Sequence, residues 1–491
     1  MAAKNVALIG MGSRGDIQPT LCLATALAAM DPSYGIHVTV IVPENFYAWI
    51  SAELTYSNVT VRSLPSNAES AINKQSVADQ VVKGDPTVLL RAMADPDQMV
   101  QDLGSLIKWC ANSDVVVVSA MSVPAGAILH EAFGTRVVQL PMFPNWYEPT
   151  YDFPPQAGIG SCGPILNKFL YHIAHTVMYF MFKPTLDRMR ETAGLDRITW
   201  SGVRDCMAVL PIHHTWSPIL HAKPKDWPES TGIGGYMFYD NPKDSLSPAL
   251  EGFLNEGTAP VYVGFGSMPI HLSTKFIPLI KELLSTLPNH LRVVVYAGGM
   301  SNAAASDASR DDLKQQLLNL DPEHKRIFVT YSVPQRLLFP RCSVIVHHGG
   351  SGTTGEAIRS GNPSFACPLI GDQHFYARRI AAIGCGPRIG CSFKSLTGKK
   401  LGLKILEALE TKYVARAKEV GLAVREERGT DNAVEFILRQ LDEAAVAGSE
   451  SSRHETKPLL RKKLQDQWNV WRLRERVNGK VKELVFGKKR N

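Results

Sequence analysis

The chain has 491 residues, 45% of them apolar and 20% charged, which is the balance of a globular protein with enough length for two or three domains. The formal net charge is +7, but residues 453–491 hold 13 Lys and Arg against 4 Asp and Glu, so the rest of the chain is close to neutral. This distribution argues against nucleic acid as the partner.

The eight cysteines are scattered without a CxxC pair, which argues against a zinc site or a disulfide framework and for a reducing compartment. One lysine precedes the apolar run at 6–10 and glycines interrupt it, so we expect no secretory signal. No run of about 18 uncharged apolar residues occurs, so we expect no membrane span. Together these features predict a cytoplasmic protein.

Short β-rich runs alternate with longer helical stretches in the first half. Buried parallel strands are predicted at 6–10, 37–43, 59–65, 114–120 and 137–143. Helices are predicted at about 17–30, 97–110, 124–133 and 165–193. This alternation is typical of a parallel sheet covered by helices on both faces.

The same alternation restarts after a polar, proline-containing segment at 239–259. Strands are predicted at 261–267, 292–298, 327–333, 343–349 and 364–369, with helices between them and on to about 441. We therefore predict an α/β protein with two facing doubly wound domains, at 1–238 and 260–445, a linker at 239–259 and a basic tail at 446–491. Ligands of such sheets bind beyond the carboxyl ends of the strands, here in the cleft between the domains.

A glycine-rich turn, HHGGSGTT at 347–354, connects one predicted strand to a helix at about 353–360. Glycines let backbone N–H groups approach a ligand, and the helix N-terminus adds free N–H groups and partial positive charge, which together suit a diphosphate. Fixed donors of this kind stabilise a leaving nucleoside diphosphate. We therefore expect no metal and no tightly bound cofactor.

The motifs HHGGSGTT, GNP at 361–363, GDQ at 371–373 and GFGSM at 264–268 together resemble the donor signature of nucleotide-sugar-dependent glycosyltransferases. The similar group is that of the sterol glucosyltransferases and glycopeptide glycosyltransferases; the plant secondary-product motif is similar more distantly. The resemblance covers most of residues 4–441. It implies the GT-B fold, two facing Rossmann-like domains with the active site in the cleft, and a UDP-sugar as co-substrate.

The resemblance also implies roles for individual residues. His348 would contact the diphosphate, Glu356 the ribose hydroxyls, and Asp372 with Gln373 the sugar hydroxyls. Tyr331 stands where plant members have a tryptophan against the base, which leaves uracil and thymine both open. The remaining donor-side residues are Ser267, Val333, Gln335, Gly350, Gly352, Thr353 and Thr354. Taken singly, Glu356 is also consistent with a solvated helix residue and Asp372 with a helix cap, and we expect a structural role for His347.

The first loop, GMGSRG at 10–15, matches the dinucleotide fingerprint GxGxxG, which raises the alternative of an NAD-linked oxidoreductase. The acidic residue that should follow about 20 residues later is missing, because Asp31 comes before the second strand and Glu44 comes too late. Asp16 would also repel a pyrophosphate at the helix start. The sequence disfavours this alternative.

The longer segment GSRGDIQPTLCLATAL at 12–27 resembles the opening loop of the sterol and glycopeptide glycosyltransferases. The resemblance implies that Asp16 is the general base and that the product is inverted. Ser13, Arg14 and Gly15 would contact the donor or shape the loop. The alternative for Asp16 is an N-cap of a helix that begins at Ile17, whose N-terminus would keep the carboxylate ionised.

The acceptor side is predicted in the aromatic, proline-rich stretch at 140–155, where Met142, Phe143, Trp146 and Tyr147 would line an apolar pocket. Core packing is the alternative for each of them. The sequence thus predicts an inverting hexosyltransferase that transfers glucose from UDP-glucose to a lipophilic acceptor such as a sterol or terpenoid. A GT-B nucleotide-sugar epimerase and a non-catalytic binding protein are the alternatives.

The basic tail carries Leu464, Trp468 and Trp471 at helical spacing on one face. A basic helix with tryptophans is typical of a segment that lies on an anionic membrane surface. Peripheral membrane contact through the tail is therefore an expectation. A solvated, partly disordered tail and a helix that packs back on the N-terminal domain are the alternatives.

Overall fold

In a computed structural model of the chain, the described residues are 4–67, 80, 95–155, 160–266, 274–298, 307–323, 325–391 and 393–450. The first half forms a five-stranded parallel sheet in the order β3-β2-β1-β4-β5. Its strands are β1 (Lys4–Ile9), β2 (Ile36–Pro43), β3 (Val59–Leu64), β4 (Val115–Val118) and β5 (Val137–Gln139). Its helices are α1 (Arg14–Ala28), α2 (Glu44–Glu53), α3 (Pro96–Cys110), α4 (Val123–Phe133), α5 (Pro164–Thr192) and α6 (Trp200–Ala208). Two further short strands, β6 (His213–His214) and β7 (Gly232–Ile233), pair with each other.

The second half repeats this topology, with a parallel sheet in the order β10-β9-β8-β11-β12. Its strands are β8 (Val261–Gly264), β9 (Val293–Tyr296), β10 (Ile327–Thr330), β11 (Val344–His347) and β12 (Ser364–Ala366). Its helices are α7 (Pro248–Asn255), α8 (Phe276–Thr286), α9 (Asp307–Leu318), α10 (Gln335–Leu338), α11 (Ser351–Ser360), α12 (Gln373–Ala382), α13 (Gly398–Ala408), α14 (Thr411–Arg425) and α15 (Gly429–Glu450). Single 3₁₀ turns occur at Pro32–Tyr34, Ala120–Ser122, Phe339–Arg341 and Phe393–Ser395.

The strands form where β-branched residues are buried on both faces of a sheet. All four valines of β4 are buried, as are all four residues of β8. The predicted parallel sheets are confirmed, but most predicted strands extend too far at their carboxyl ends. The run at 137–143, for example, is paired only at 137–139, because the chain turns away there to form the cleft loops.

The last helix, α15, packs on the sheet of the first half although it follows the second half in the chain. Phe436 and Ile437 are buried in the same apolar cluster as Leu21 and Val38, and Lys4 pairs with Asp442 at 3.2 Å. The predicted domain boundaries stay predictions. Most of this helix falls within the range predicted for the second domain, yet it packs on the first half. The sequence predicted helices up to about residue 441 without indicating which sheet the last one covers.

An aromatic cluster joins the two halves directly. Trp216 and Phe153 of the first half pack against Phe375 of the second, with ring centroids 6.2 and 5.2 Å apart. Tyr376 and Tyr236 are buried in the same cluster. This packing holds the carboxyl ends of the two sheets towards each other. Among the described helices, none is long and apolar enough to cross a bilayer.

Candidate active site

The loop after β1 folds the carboxylate of Asp16 back over the start of α1. The helix begins at Arg14, with Ser13 as N-cap. Asp16 Oδ2 accepts hydrogen bonds from the Ser13 backbone N–H at 2.8 Å and from Ser13 Oγ at 3.0 Å. Gly12 has a φ of +117°, and a Cβ there would lie 2.5 Å from Asp16 Oδ2, so only glycine fits. The alternative of Asp16 as N-cap is wrong, because Asp16 is the third helical residue of a capping box.

The pKa of Asp16 is raised to about 6, because enclosure by the protein outweighs the hydrogen bonds from Ser13. With this pKa the carboxylate is mostly ionised at pH 7 and becomes protonated as the pH falls below about 6. Asp16 lines a cleft pocket together with Ser119 at the end of β4 and Met142 after β5. A carboxylate with a pKa just below neutrality is suited to accept a proton.

Across the cleft, the glycine-rich turn after β11 holds the His348 ring in a narrow slot. A Cβ at either Gly266 or Gly350 would lie 2.4 Å from a ring atom of His348. Among the described residues, no group hydrogen-bonds His348 Nδ1. Burial lowers the pKa of His348 to about 4, so the ring is neutral at pH 7 and keeps a nitrogen available for a ligand.

The adjacent residue, His347, has a different environment. It is fully buried, and its Nδ1 accepts a hydrogen bond from the Gly349 N–H at 3.1 Å. Burial lowers its pKa to about 3. These contacts give His347 a role in holding the turn.

The first turn of α11 contains the other glycine and threonine residues of the motif. Thr354 Oγ1 donates to the Gly350 carbonyl at 2.9 Å, so this hydroxyl is used within the helix. Gln335 Nε2 donates to Thr353 Oγ1 at 3.5 Å, which brings these two predicted donor residues together. Gly352 is exposed, and a Cβ there would meet no atom within 4 Å. The main chain at Gly352 is therefore exposed at the start of α11.

Glu356 is buried rather than solvated. Burial raises its pKa to about 7, although Arg359 Nη1 lies 3.5 Å from Glu356 Oε1. Arg359 also pairs with Asp240 at 2.8 Å, and Arg336 pairs with Asp244 at 3.3 Å. The predicted ribose-binding carboxylate thus lies beside a charged network that ties α11 and α10 to the segment between the two halves.

Asp372 is the N-cap residue of α12 without a side-chain capping hydrogen bond, although the backbone N–H groups of Asp372 and Gln373 act to lower its pKa. Its pKa is raised to about 7, first by burial and second by the negative charge of Asp16. The two carboxylates are thus close enough to interact electrostatically. Gln373, in contrast, accepts hydrogen bonds at Oε1 from the N–H groups of Leu369, at 2.8 Å, and Ile370, at 3.2 Å, so its oxygen holds the preceding turn.

Two hydroxyl groups that the sequence analysis missed connect the two sides of the cleft. Ser351 Oγ donates to the Met142 carbonyl at 3.2 Å and lies 2.9 Å from the Tyr376 hydroxyl, which also donates to that carbonyl. We call this contact the Met142 clasp. Tyr376 is four residues after Asp372, so helical spacing alone places both on one face of α12. That spacing was the available signal.

The four predicted acceptor residues do not lie together. Met142 lines the Asp16 pocket, whereas Phe143 packs against the aromatic cluster between the halves. Trp146 packs on Tyr147, with ring centroids 5.3 Å apart, and the Tyr147 hydroxyl donates to Gln139 inside the first core. The structure therefore brings Met142 to the cleft and uses the other three in packing.

The remaining predicted residues lie around the cleft rim. The Arg14 guanidinium lies 4.7 Å from the Trp49 ring centroid, and its charge acts on Tyr296 in the other half. Gly15 is exposed, and Val333 and Tyr331 pack against the second core. Ser267 and the tail at 453–491 lie outside the described residues. All eight cysteines are free thiols.

Comparison with known proteins identifies similar sequences. Residues 310–428 match the model of the erythromycin biosynthesis protein CIII-like C-terminal domain. The sterol 3-beta-glucosyltransferase of Arabidopsis thaliana is 26% identical over 89% of this chain and 66% of its own length. The O-mycaminosyltylonolide 6-deoxyallosyltransferase of Streptomyces fradiae is 27% identical over 88% of this chain and 96% of its length. The chain spans 29% of the sterol 3-beta-glucosyltransferase of Yarrowia lipolytica and 28% of that of Debaryomyces hansenii.

Comparison with solved structures gives the same fold. The glycosyltransferase of kitacinnamycin has a TM-score of 0.61 and is 19% identical over 90% of this chain and all of its own length. The chain has the GT-B fold and is similar in sequence to sterol and macrolide glycosyltransferases. The predicted resemblance and the predicted GT-B fold are confirmed. The dinucleotide alternative loses its support, because the protein's own Asp16 carboxylate occupies the helix start where a pyrophosphate would bind.

Proposed function

We propose that the protein is an inverting glycosyltransferase that moves a hexose from a nucleotide sugar, UDP-glucose, to a hydroxyl group of a lipophilic acceptor. The observation that carries this proposal is the approach of the start of α11 to the loop after β5, where Ser351 Oγ lies 3.2 Å from the Met142 carbonyl, with Asp16 and Asp372 close enough to interact electrostatically. It supports an arrangement in which a base from the first half acts on an acceptor hydroxyl beside a sugar held by the second half.

In the proposed reaction, Asp16 accepts the proton of the acceptor hydroxyl as that oxygen forms a bond to the anomeric carbon. The bond from the anomeric carbon to the diphosphate breaks, and its electron pair leaves with the nucleoside diphosphate. The N–H groups at the start of α11 and the ring of His348 are suited to stabilise the negative charge that develops there. Attack opposite to the leaving group inverts the anomeric carbon.

The acceptor class rests on the names of the relatives. A plant relative is named for sterols, and a bacterial relative for a macrolide-type lactone. We therefore propose an acceptor of the sterol, terpenoid or polyketide class. The predicted cytoplasmic location and membrane contact of the tail stay proposals.

The test is an assay of nucleoside diphosphate release with UDP-glucose or dTDP-glucose, with and without a sterol such as ergosterol or a macrolactone. We expect release that depends on the acceptor, together with a glycosylated product of inverted configuration. Conversion of the donor to its epimer without acceptor would instead identify an epimerase. Donor binding with no turnover for any acceptor would support a binding protein.

Asp16→Asn tests the base directly. Asparagine keeps an oxygen that accepts the Ser13 hydrogen bonds, so we expect normal folding and donor binding, with kcat lower by at least about 10²-fold. Asp95→Asn is the matched control, since Asp95 also accepts N–H groups at a helix start, from Asp97 and Gln98. Turnover of Asp16→Asn within a few-fold of wild type would remove the assignment.

A further inference from the structure

Helix α5 carries a continuous row of large apolar side chains that no other described residue covers. Ile165 is 83% exposed, Phe180 is 70% exposed and Phe169 is 55% exposed. The full row, which we call the α5 stripe, is Ile165, Leu166, Phe169, Ile173, Val177 and Phe180. A soluble protein surface rarely leaves so many neighbouring apolar groups in water without a partner.

The stripe is a true helix face and not a scatter of exposed residues. At about 100° per residue all six members fall within an arc of about 120°. Asn167, Tyr171 and His175 project from the opposite side and are buried. The stripe runs for about 22 Å along the helix at 1.5 Å per residue, so it forms one flat apolar edge on the first half of the protein.

The charges around the stripe are compatible with contact to lipid headgroups. Residues 164–186 contain no Asp or Glu. Lys168 and Lys183 border the stripe, and each pairs with a carboxylate, Asp226 at 3.1 Å and Asp187 at 2.5 Å. Nothing on the stripe itself repels phosphate headgroups, and the two lysine stems can extend towards them.

A second copy of the chain fits the stripe less well than a membrane does. A strip about 22 Å long and about 10 Å wide offers roughly 200 Å², whereas a stable interface needs about 800 Å² from each partner. A bilayer surface requires only that the apolar side chains enter the boundary between headgroups and acyl chains. We propose that the α5 stripe docks the protein on a phospholipid surface, with the acceptor-side half facing the bilayer.

This inference does not depend on the proposed reaction, since docking is measured without donor or turnover. The experiment is co-sedimentation of the full chain with phosphatidylcholine–phosphatidylserine vesicles at 0.1 and 0.5 M salt. The test variant is Phe169→Glu/Phe180→Glu. The matched control is Leu403→Glu/Leu422→Glu, because these two leucines are 54% and 55% exposed on helices of the second half. Thermal unfolding confirms that each variant is folded.

We expect wild type and control to sediment alike at both salt concentrations, and the stripe variant to lose at least about tenfold in partitioning. Equal partitioning of the stripe variant, or binding that vanishes at 0.5 M salt in every protein, would assign docking to the basic tail and overturn the proposal. Failure of wild type to bind would also overturn it. A dimer of wild type that becomes a monomer in the stripe variant, seen by light scattering, would replace the membrane with a second copy.

Discussion

The loop after β11 and the loop after β5 both leave the carboxyl end of a parallel strand, next to the edge of one sheet and at the edge of the other, but they are built in different ways. The β11 loop presents main-chain groups and one histidine in a slot made by Gly266 and Gly350. The β5 loop presents a single side chain, Met142, and sends Phe143 and Tyr147 into packing. A site built from main-chain groups can be predicted from the spacing of glycines in the sequence. A site built from side chains cannot, because tertiary packing decides which side chains reach it.

The largest expected loss of kcat/KM is that of His348→Ala, which we compare with His347→Ala. His348→Ala removes a neutral ring that faces the diphosphate side of the cleft, and we expect kcat/KM to fall by about 10²-fold, as for loss of one charge-stabilising donor. His347→Ala removes a buried ring that accepts the Gly349 N–H, so we expect it to lower the melting temperature more and kcat/KM less. Steady-state kinetics and thermal unfolding of both variants check this. Equal kinetic losses would mean that both rings act only through the turn.

The next effect compares the two glycines of the turn. Gly350→Ala places a methyl group against His348 Nε2, so the ring must move, and we expect kcat/KM to fall by about tenfold. Gly352→Ala meets no protein atom within 4 Å and is expected to keep activity, with a stability gain of up to about 1 kcal/mol from higher helix propensity. Donor KM values measure both. If Gly352→Ala raises the donor KM as strongly as Gly350→Ala, the donor itself occupies the open space.

These contrasts explain what could be predicted from the sequence. The strands, the helix at 351–360 and the glycine-rich turn follow from periodicity and from local backbone rules, and the structure has them within a few residues. The neighbouring carboxylates could be proposed only through the resemblance, because Asp16 and Asp372 are far apart in the chain. Their predicted roles remain predictions.

The rest depends on contacts that no local pattern encodes. The sequence predicted helices up to about residue 441 but not that α15 covers the first sheet. The role of Gln373 in binding sugar hydroxyls stays a prediction, and its oxygen accepts two N–H groups of its own turn. The aromatic residues at 143–153 carry the same pattern whether they line a pocket or join two halves. Only the packed chain distinguishes those outcomes.

The pH dependence tests whether the two sides of the cleft act together. Asp16 must be deprotonated to accept a proton, and its pKa is raised to about 6. We therefore expect kcat/KM to be level at and above pH 7 and to fall by about tenfold per unit below pH 6. Because the charge of Asp16 also raises the pKa of Asp372 to about 7, Asp16→Asn should move the pH inflection of UDP-glucose binding downward. A flat kcat/KM profile between pH 5 and 8 would contradict the role of Asp16.

The smallest expected effect concerns the Met142 clasp. Tyr376→Phe keeps the buried ring but removes the hydroxyl that reaches Ser351 and the Met142 carbonyl, at a cost of about 1 kcal/mol. Ser351 begins α11 and Met142 follows β5, so the Tyr376 hydroxyl links the proposed donor helix to the proposed acceptor loop. Without this hydroxyl the helix and the loop are held together less firmly. We expect a few-fold rise in the acceptor KM with little change in kcat. Tyr262→Phe is the control, because Tyr262 is equally buried within the second core, away from the clasp. A loss of stability in Tyr376→Phe with unchanged acceptor KM would mean that the clasp only joins the halves.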